Sequence, residues 1–159
     1  IFERDAWFRW RYNIRLQAAT AEHWLRGRDL ERASKFALQL LDTATQYEAH
    51  KYIAVAHRLL AQVAIANGEL AEGEKQFNVA LSELDHHPSP LVAWKTYADL
   101  GRLKSQLGDS PSAREFFAKA AEIVNSIVAS VSDEGLRTTF MTSEAVREVL
   151  NGAAKSASS

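Results

Sequence analysis

Three segments of the chain repeat at intervals of 40 residues, and this repetition constrains the fold more than any other feature of the sequence. They are GRDLERASKFALQLL from Gly27, NGELAEGEKQFNVAL from Asn67 and LGDSPSAREFFAKAA from Leu107. In each segment an acidic residue is followed four positions later by a small residue. A second small residue precedes each segment in the chain. A fixed period of this length is typical of helical hairpins that stack on one another.

Residue size at the recurring positions predicts where the two helices of each hairpin cross. Antiparallel helices approach closely only where small side chains meet. We therefore expect three facing pairs, namely Ala21 with Ala33, Ala61 with Gly73, and Gly101 with Ala113. The chain has 26 alanines and 17 leucines but only seven glycines and three prolines, which favours helix throughout. The sequence therefore predicts an all-α fold.

The third copy of the repeat also carries a family signature. It resembles the tetratricopeptide repeat through Leu100-Gly101, Gly108-Asp109, Ala113, Phe117 and Ala120. A looser copy is formed by Leu60-Ala61, Gly68, Gly73, Phe77 and Ala80, and the first copy departs from the pattern at Thr20, Arg28 and Ala37. The period of 40 residues also exceeds the roughly 34 residues typical of the family. The resemblance implies a right-handed superhelical stack of three antiparallel helical hairpins with short C-terminal capping helices.

Turn and capping residues divide the chain into segments. We expect helical repeats over residues 1–131, with hairpins at about 6–46, 47–87 and 89–131. Capping helices are expected over 132–152 and a disordered tail over 153–159. The predicted helix N-caps are Ser89, Ser110, Ser132 and Ser143. Because the chain begins with Ile1 rather than Met, we expect it to be part of a longer protein.

The sequence lacks the motifs of the common catalytic classes. It contains no glycine-rich phosphate loop, no His-Glu-x-x-His, no Ser-x-x-Lys and no Gly-x-Ser-x-Gly. The absence of cysteine excludes disulfides, thiolate zinc sites and a thiol nucleophile, and it is compatible with a cytoplasmic location. We therefore expect a cytoplasmic protein that is not an enzyme, with no catalytic residues and no cofactor.

The histidines do not suggest a metal site when they are considered by spacing alone. His50 and His57 lie seven positions apart, which is about 10 Å along a helix axis and too far for one shared ion. His86 and His87 fall in a predicted solvated turn. We therefore expect no metal.

Charge and hydropathy exclude two further classes of partner. Nineteen basic residues are balanced by twenty acidic ones, so the chain lacks the basic character of a nucleic-acid binder. No stretch approaches the roughly 18 apolar residues of a membrane span. Aromatic residues in FERDAWFRWRYNIR follow helical spacing and are expected to pack. If a preceding hairpin is missing, this aromatic helix offers a surface for a homodimer.

The family register predicts a binding groove lined by the first helix of each hairpin. Eight charged or amide side chains are expected there: Arg15, Glu22, Arg26, Arg58, Gln62, Lys95, Asp99 and Arg102. Five of them are cationic and two are acidic, so the groove favours an acidic peptide or carboxylate. The family's clamp for a C-terminal carboxylate is not supported, because only Lys95 fits that pattern.

A second resemblance concerns biological context. HKYIAVAHRLLAQVAIANGEL, PLVAWKTYADLGRLKSQLGD and EAVREVL are similar to the C-terminal repeat region of large bacterial signalling proteins with an upstream NTPase module. It implies a non-catalytic regulatory domain that binds a protein or peptide. The alternative is a small-molecule sensor controlling the NTPase, with His57, Trp94 and Tyr97 as candidate pocket residues.

Overall fold

A computed structural model describes residues 2–157, with side chains described for residues 9–154. Over this range the chain forms eight α-helices and no strand. Their bounds are α1 Phe2–Arg26, α2 Leu30–Gln46, α3 His50–Ala66, α4 Leu70–His86, α5 Pro90–Gln106, α6 Ser110–Ser130, α7 Glu134–Thr142 and α8 Glu144–Ala157. The expectation of an all-α fold is confirmed.

Consecutive helices pack in pairs within two compact units, Ile1–Pro88 and Ser89–Ser159. In the first unit, α1 packs on α2 and α3 packs on α4, while α3 also contacts both α1 and α2. In the second unit, α5 packs on α6, and the C-terminal α8 packs against α6. None of the described helices has both the length and the apolarity of a membrane span.

Small residues allow close helix approach at the crossings. A Cβ added to Gly73 would lie 3.1 Å from the Ala61 carbonyl oxygen and 2.5 Å from Cγ1 of Ile65. The predicted crossing of Ala61 with Gly73 is therefore confirmed. In the second unit, a Cβ on Gly101 would lie 3.0 Å from the Phe117 ring. The Phe117 ring of α6, four positions after Ala113, therefore fills the space beside Gly101.

Aspartates cap three of the helices. The Asp29 side chain accepts from the Arg32 amide at 3.0 Å, that of Asp109 from Ser112 at 3.2 Å, and that of Asp133 from Leu136 at 2.8 Å. The predictions that Ser110 and Ser132 are N-caps are therefore wrong by one residue each. A carboxylate is a stronger acceptor than a hydroxyl and is favoured by the positive end of the helix.

The remaining predicted caps and the tail have different outcomes. Ser89 is the N-cap of α5 and Pro90 is its first residue, as predicted, although no side-chain bond closes the cap. Ser143 directly precedes α8, but its hydroxyl donates to the Phe140 carbonyl at 2.8 Å. Because α8 continues to Ala157, residues 153–157 are helical where the sequence analysis expects disorder. The last two residues of the expected tail, 158 and 159, lie outside the described residues.

The turn that follows the first helix of each hairpin contains one residue in the left-handed region. These residues are Arg28, Gly68 and Gly108, with φ of 60°, 85° and 77°, and they are spaced by 40 positions. Glycine adopts this conformation without the steric conflict that a Cβ creates. Arg28 therefore holds a strained backbone where the other two copies hold glycine.

Replacing Arg28 by glycine is expected to stabilise the protein by about 0.5–1 kcal/mol, because it relieves the positive-φ strain. Urea unfolding followed by circular dichroism measures this change. Arg26→Gly is the control, since Arg26 is the last residue of α1 and glycine in a helix costs up to about 1 kcal/mol. A stability that falls equally in both variants would contradict the role of the Arg28 conformation.

Candidate functional site

The predicted groove residues of α1 lie on an accessible side of that helix. Arg15 is exposed, Glu22 is half-buried, and the Arg26 side chain is 81% exposed. Arg26 Nη2 contacts Glu22 Oε2 at 3.5 Å, which is an exposed pair one helical turn apart. Pairs of this kind contribute only a few tenths of a kcal/mol. The two guanidinium groups of this face are therefore accessible to a partner.

The corresponding residues of α3 lie on a side of the helix that is not buried. Lys51, Val55, Arg58 and Gln62 follow one another at steps of four and three residues, and all are exposed or half-buried. Their neighbours Ala54, Leu59 and Ala61 are buried. Because α1 and α3 pack against each other, the first unit presents basic side chains from two adjacent helices.

In the second unit, two predicted groove residues are engaged in an internal ion-pair network. Arg102 Nη1 donates to Asp99 Oδ1, and its Nε and Nη2 donate to the two Glu148 oxygens at 2.8 and 2.6 Å. Asp99 is only 6% exposed, which differs from the expected open position. Lys95 remains exposed on the same helix. Arg102 therefore links α5 to α8 through Glu148, while Asp99 holds the Arg102 side chain within α5.

The electrostatics of this network favour the charged forms of both partners. The hydrogen bonds from Arg102 lower the pKa of Glu148, against a smaller opposing effect of burial. The bonds to Glu148 are in turn the largest cause of a raised pKa for Arg102. Sequence reasoning missed this contact because Arg102 and Glu148 are 46 positions apart and α8 lies outside the repeat.

The three candidate pocket residues each contact a partner within their own unit. In the first unit, His57 Nδ1 donates to Gln76 Oε1 of α4 at 2.7 Å. In the second, Tyr97 stacks with Phe116 at a centroid distance of 6.2 Å. Trp94 is 3% exposed and meets Phe140 edge-on at 6.1 Å. The buried Nε1 of Trp94 has no hydrogen-bond partner.

A cleft in the second unit was not expected from the sequence. It has a volume of about 480 Å³ between α5, α6 and α8, and it is lined by Arg114, Phe117, Glu148 and Asn151 among others. It forms beside Gly152, where an added Cβ would lie 2.9 Å from Cγ of Phe117. The cleft exists only because α8 packs beside α6, and the 40-residue repeat does not predict the position of α8.

The aromatic N-terminal helix is partly packed and partly exposed. Trp10 stacks on Tyr47 with ring centroids 4.7 Å apart, and the Arg11 guanidinium lies 5.4 Å from the Trp10 ring. Tyr12 and Leu16 are 70% and 65% exposed. Trp7 is another of the aromatic residues expected to pack, but its side chain lies outside the described range.

Among the described residues, one group brings together side chains that could hold a metal ion: His50, Glu83 and His87. Spacing analysis missed this group because it compared histidines within one helix. The ligand atoms instead come from two helices, since His50 begins α3 whereas Glu83 and His87 lie at the end of α4. The only sequence signal is that a hairpin places the start of its first helix beside the end of its second.

Comparison with known proteins does not assign the chain to a family. No protein-family model matches the sequence, and no curated protein matches it.

Proposed function

We propose that the chain is a tetratricopeptide-like stack of helical hairpins that serves as a non-catalytic interaction domain of a larger bacterial regulatory protein in the cytoplasm. Its partner is a protein or peptide with an acidic segment. The face formed by α1 and α3 in the first unit is the proposed binding surface, called here the basic face and defined by Arg15, Glu22, Arg26, Arg58 and Gln62.

The observation that supports this proposal is the direct packing of α1 against α3. Three arginines on two adjacent helices are opposite in charge to the carboxylates of an acidic peptide. Arginine also binds carboxylates in bidentate geometry, which adds specificity to the electrostatic attraction. The single acid of the face, Glu22, is already engaged by Arg26, so the face remains net positive.

Selection of a random displayed peptide library on the chain tests the proposal. We expect enrichment of sequences rich in Asp and Glu, and fluorescence anisotropy of a selected peptide then gives its affinity. In the double variant Arg15→Glu, Arg26→Glu, binding is expected to weaken at least about tenfold, which corresponds to about 1.4 kcal/mol. Both residues are exposed, so the variant is expected to keep its fold.

The matched control is Lys35→Glu, Lys75→Glu, which makes the same charge change at exposed positions of α2 and α4. Its affinity is expected to stay close to that of the unchanged chain. Equal losses in the two double variants would indicate nonspecific attraction, and enrichment of peptides without acidic character would also reject the proposal.

The alternative proposal is a domain that senses a small effector molecule. The buried Trp94 Nε1 without a partner favours it, because a buried donor is normally satisfied by an acceptor. A thermal-shift screen against acidic metabolites separates the two proposals. Trp94→Phe removes the indole N–H together with part of the buried ring system, so circular dichroism first establishes that the variant is folded. Stabilisation by a metabolite that is lost in the folded variant would favour the sensor.

A further inference from the structure

The first unit contains a His-Glu-His group at the open end of the α3–α4 hairpin. His50 is the first residue of α3, Glu83 lies in the last turn of α4, and His87 is the C-cap of α4. The hairpin thus joins side chains that are separated by more than 30 positions in sequence. All three belong to the same compact unit.

The ligand atoms of the group are close together. His50 Nδ1 donates to Glu83 Oε1 at 2.6 Å, and the His50 and His87 rings lie 3.4 Å apart with an interplanar angle of 8°. One ligand atom from each residue lies within 4.8 Å of the other two. Tetrahedral zinc with bonds of about 2.0–2.2 Å separates its ligands by roughly 3.3–3.5 Å. The widest separation would have to contract by little more than an ångström, and the 2.6 Å between His50 Nδ1 and Glu83 Oε1 would have to widen by somewhat less.

We propose that His50, Glu83 and His87 bind a zinc ion that joins the start of α3 to the end of α4. Two imidazole nitrogens and one carboxylate oxygen are a ligand set that zinc accepts, with a water molecule in the fourth position. Imidazole ligands disfavour Mg²⁺ and Ca²⁺, which take oxygen ligands. This departs from the expectation of no metal, which rested on the spacing of His50 and His57 within α3.

Zinc binding requires two local changes that the side chains allow. The proton of His50 moves from Nδ1 to Nε2, so that Nδ1 offers a lone pair in place of the hydrogen bond to Glu83. The parallel imidazoles also turn, because their in-plane lone pairs cannot converge while the rings are stacked. Rotation about the terminal torsion of histidine is soft, and His87 is exposed, so this change is small in energy.

The burial of the group favours a bound cation over a purely solvated cluster. The side chains of His50 and Glu83 are 38% and 24% exposed, so both are partly withdrawn from water. Such partial burial strengthens the attraction between a carboxylate and a metal ion. Because the three ligands come from both helices of the hairpin, zinc binding is expected to stabilise the folded first unit.

Isothermal titration calorimetry of the full chain with Zn²⁺ tests the proposal, with Mg²⁺ as the comparison ion. We expect one zinc per chain and no Mg²⁺ binding under the same conditions. In His87→Gln and Glu83→Gln the affinity is expected to fall at least about tenfold, since loss of even an outer-shell partner costs about 10–100-fold. Circular dichroism establishes that each variant is folded.

The matched control is His86→Gln, which removes the histidine next to His87. The His86 imidazole donates to the Ser82 carbonyl at 2.8 Å and does not belong to the group. Its zinc affinity, and the rise in melting temperature on adding zinc, are expected to equal those of the unchanged chain. Absence of zinc binding, or equal losses in His86→Gln and His87→Gln, would overturn the proposal.

Discussion

Replacing Gly73 by leucine is expected to lower the free energy of unfolding by about 3 kcal/mol. Gly73 is buried in α4, and even a Cβ there would lie 2.5 Å from Cγ1 of Ile65 and 3.1 Å from the Ala61 carbonyl oxygen. Helix α3 therefore has to move away, which costs about 1–3 kcal/mol in an overpacked core and more when backbone is displaced. Leucine is a good helix former, so helix propensity does not explain the loss.

Urea unfolding of the variant measures this effect, and Gly27→Leu is the control. A Cβ on Gly27 meets only ordinary contacts at 3.5 and 3.6 Å. The equivalent positions of the other repeats hold Asn67 and Leu107, so a side chain is tolerated at this place. The control is expected to stay within about 0.5 kcal/mol of the unchanged chain. Comparable losses in both variants would contradict the close crossing at Gly73.

Replacing Arg102 by methionine is expected to cost about 2–3 kcal/mol. The change leaves Asp99, which is 6% exposed, without its guanidinium partner in α5. Removing one member of a buried ion pair costs about 3–5 kcal/mol, and the lower figure here reflects an Arg102 side chain that is 41% exposed. Methionine retains much of the length and apolar contact of the side chain, so the loss reports mainly on charge. Chemical unfolding at neutral pH measures it.

The variant Glu148→Gln removes only the exposed ion pair of this network, that of Arg102 with Glu148. Arg102→Met also removes the pair with the buried Asp99. The Glu148 side chain is 44% exposed, so its loss is expected to cost less than about 1 kcal/mol. Because folding lowers the pKa of Glu148, its contribution is complete above the unfolded pKa and is lost as pH falls through the folded one. The stability difference between Glu148→Gln and the unchanged chain should therefore shrink in acid. A larger effect for Glu148→Gln than for Arg102→Met would contradict the account.

The features that the sequence predicts best are local or repeated. The start of α5 at Pro90 follows from the turn residues Ser89 and Pro90, and the crossing of Ala61 with Gly73 follows from the 40-residue period. Helix caps are less predictable, since serine and aspartate stand side by side at 109–110 and 132–133. There the aspartate accepts the amide hydrogen bond, because its carboxylate is the stronger acceptor.

The candidate sites were harder to predict because they join residues that are distant in sequence. Arg102 reaches Glu148 only after α8 docks on α6, and α8 does not belong to the repeat. His50 meets Glu83 and His87 across the α3–α4 hairpin, whereas His57, seven residues further along α3, contacts Gln76 instead. Spacing within one helix cannot specify the register between two helices, which the packing of side chains decides.

The most direct test of the proposed interaction domain is a nuclear magnetic resonance titration of the isotope-labelled chain with a selected acidic peptide. Chemical-shift changes are expected along the accessible sides of α1 and α3, including Arg15, Arg26, Arg58 and Gln62. The changes should weaken as salt concentration rises, because charge attraction drives the contact. Changes confined to α2 and α4, or none at saturating peptide, would contradict the assignment of the basic face as the binding surface.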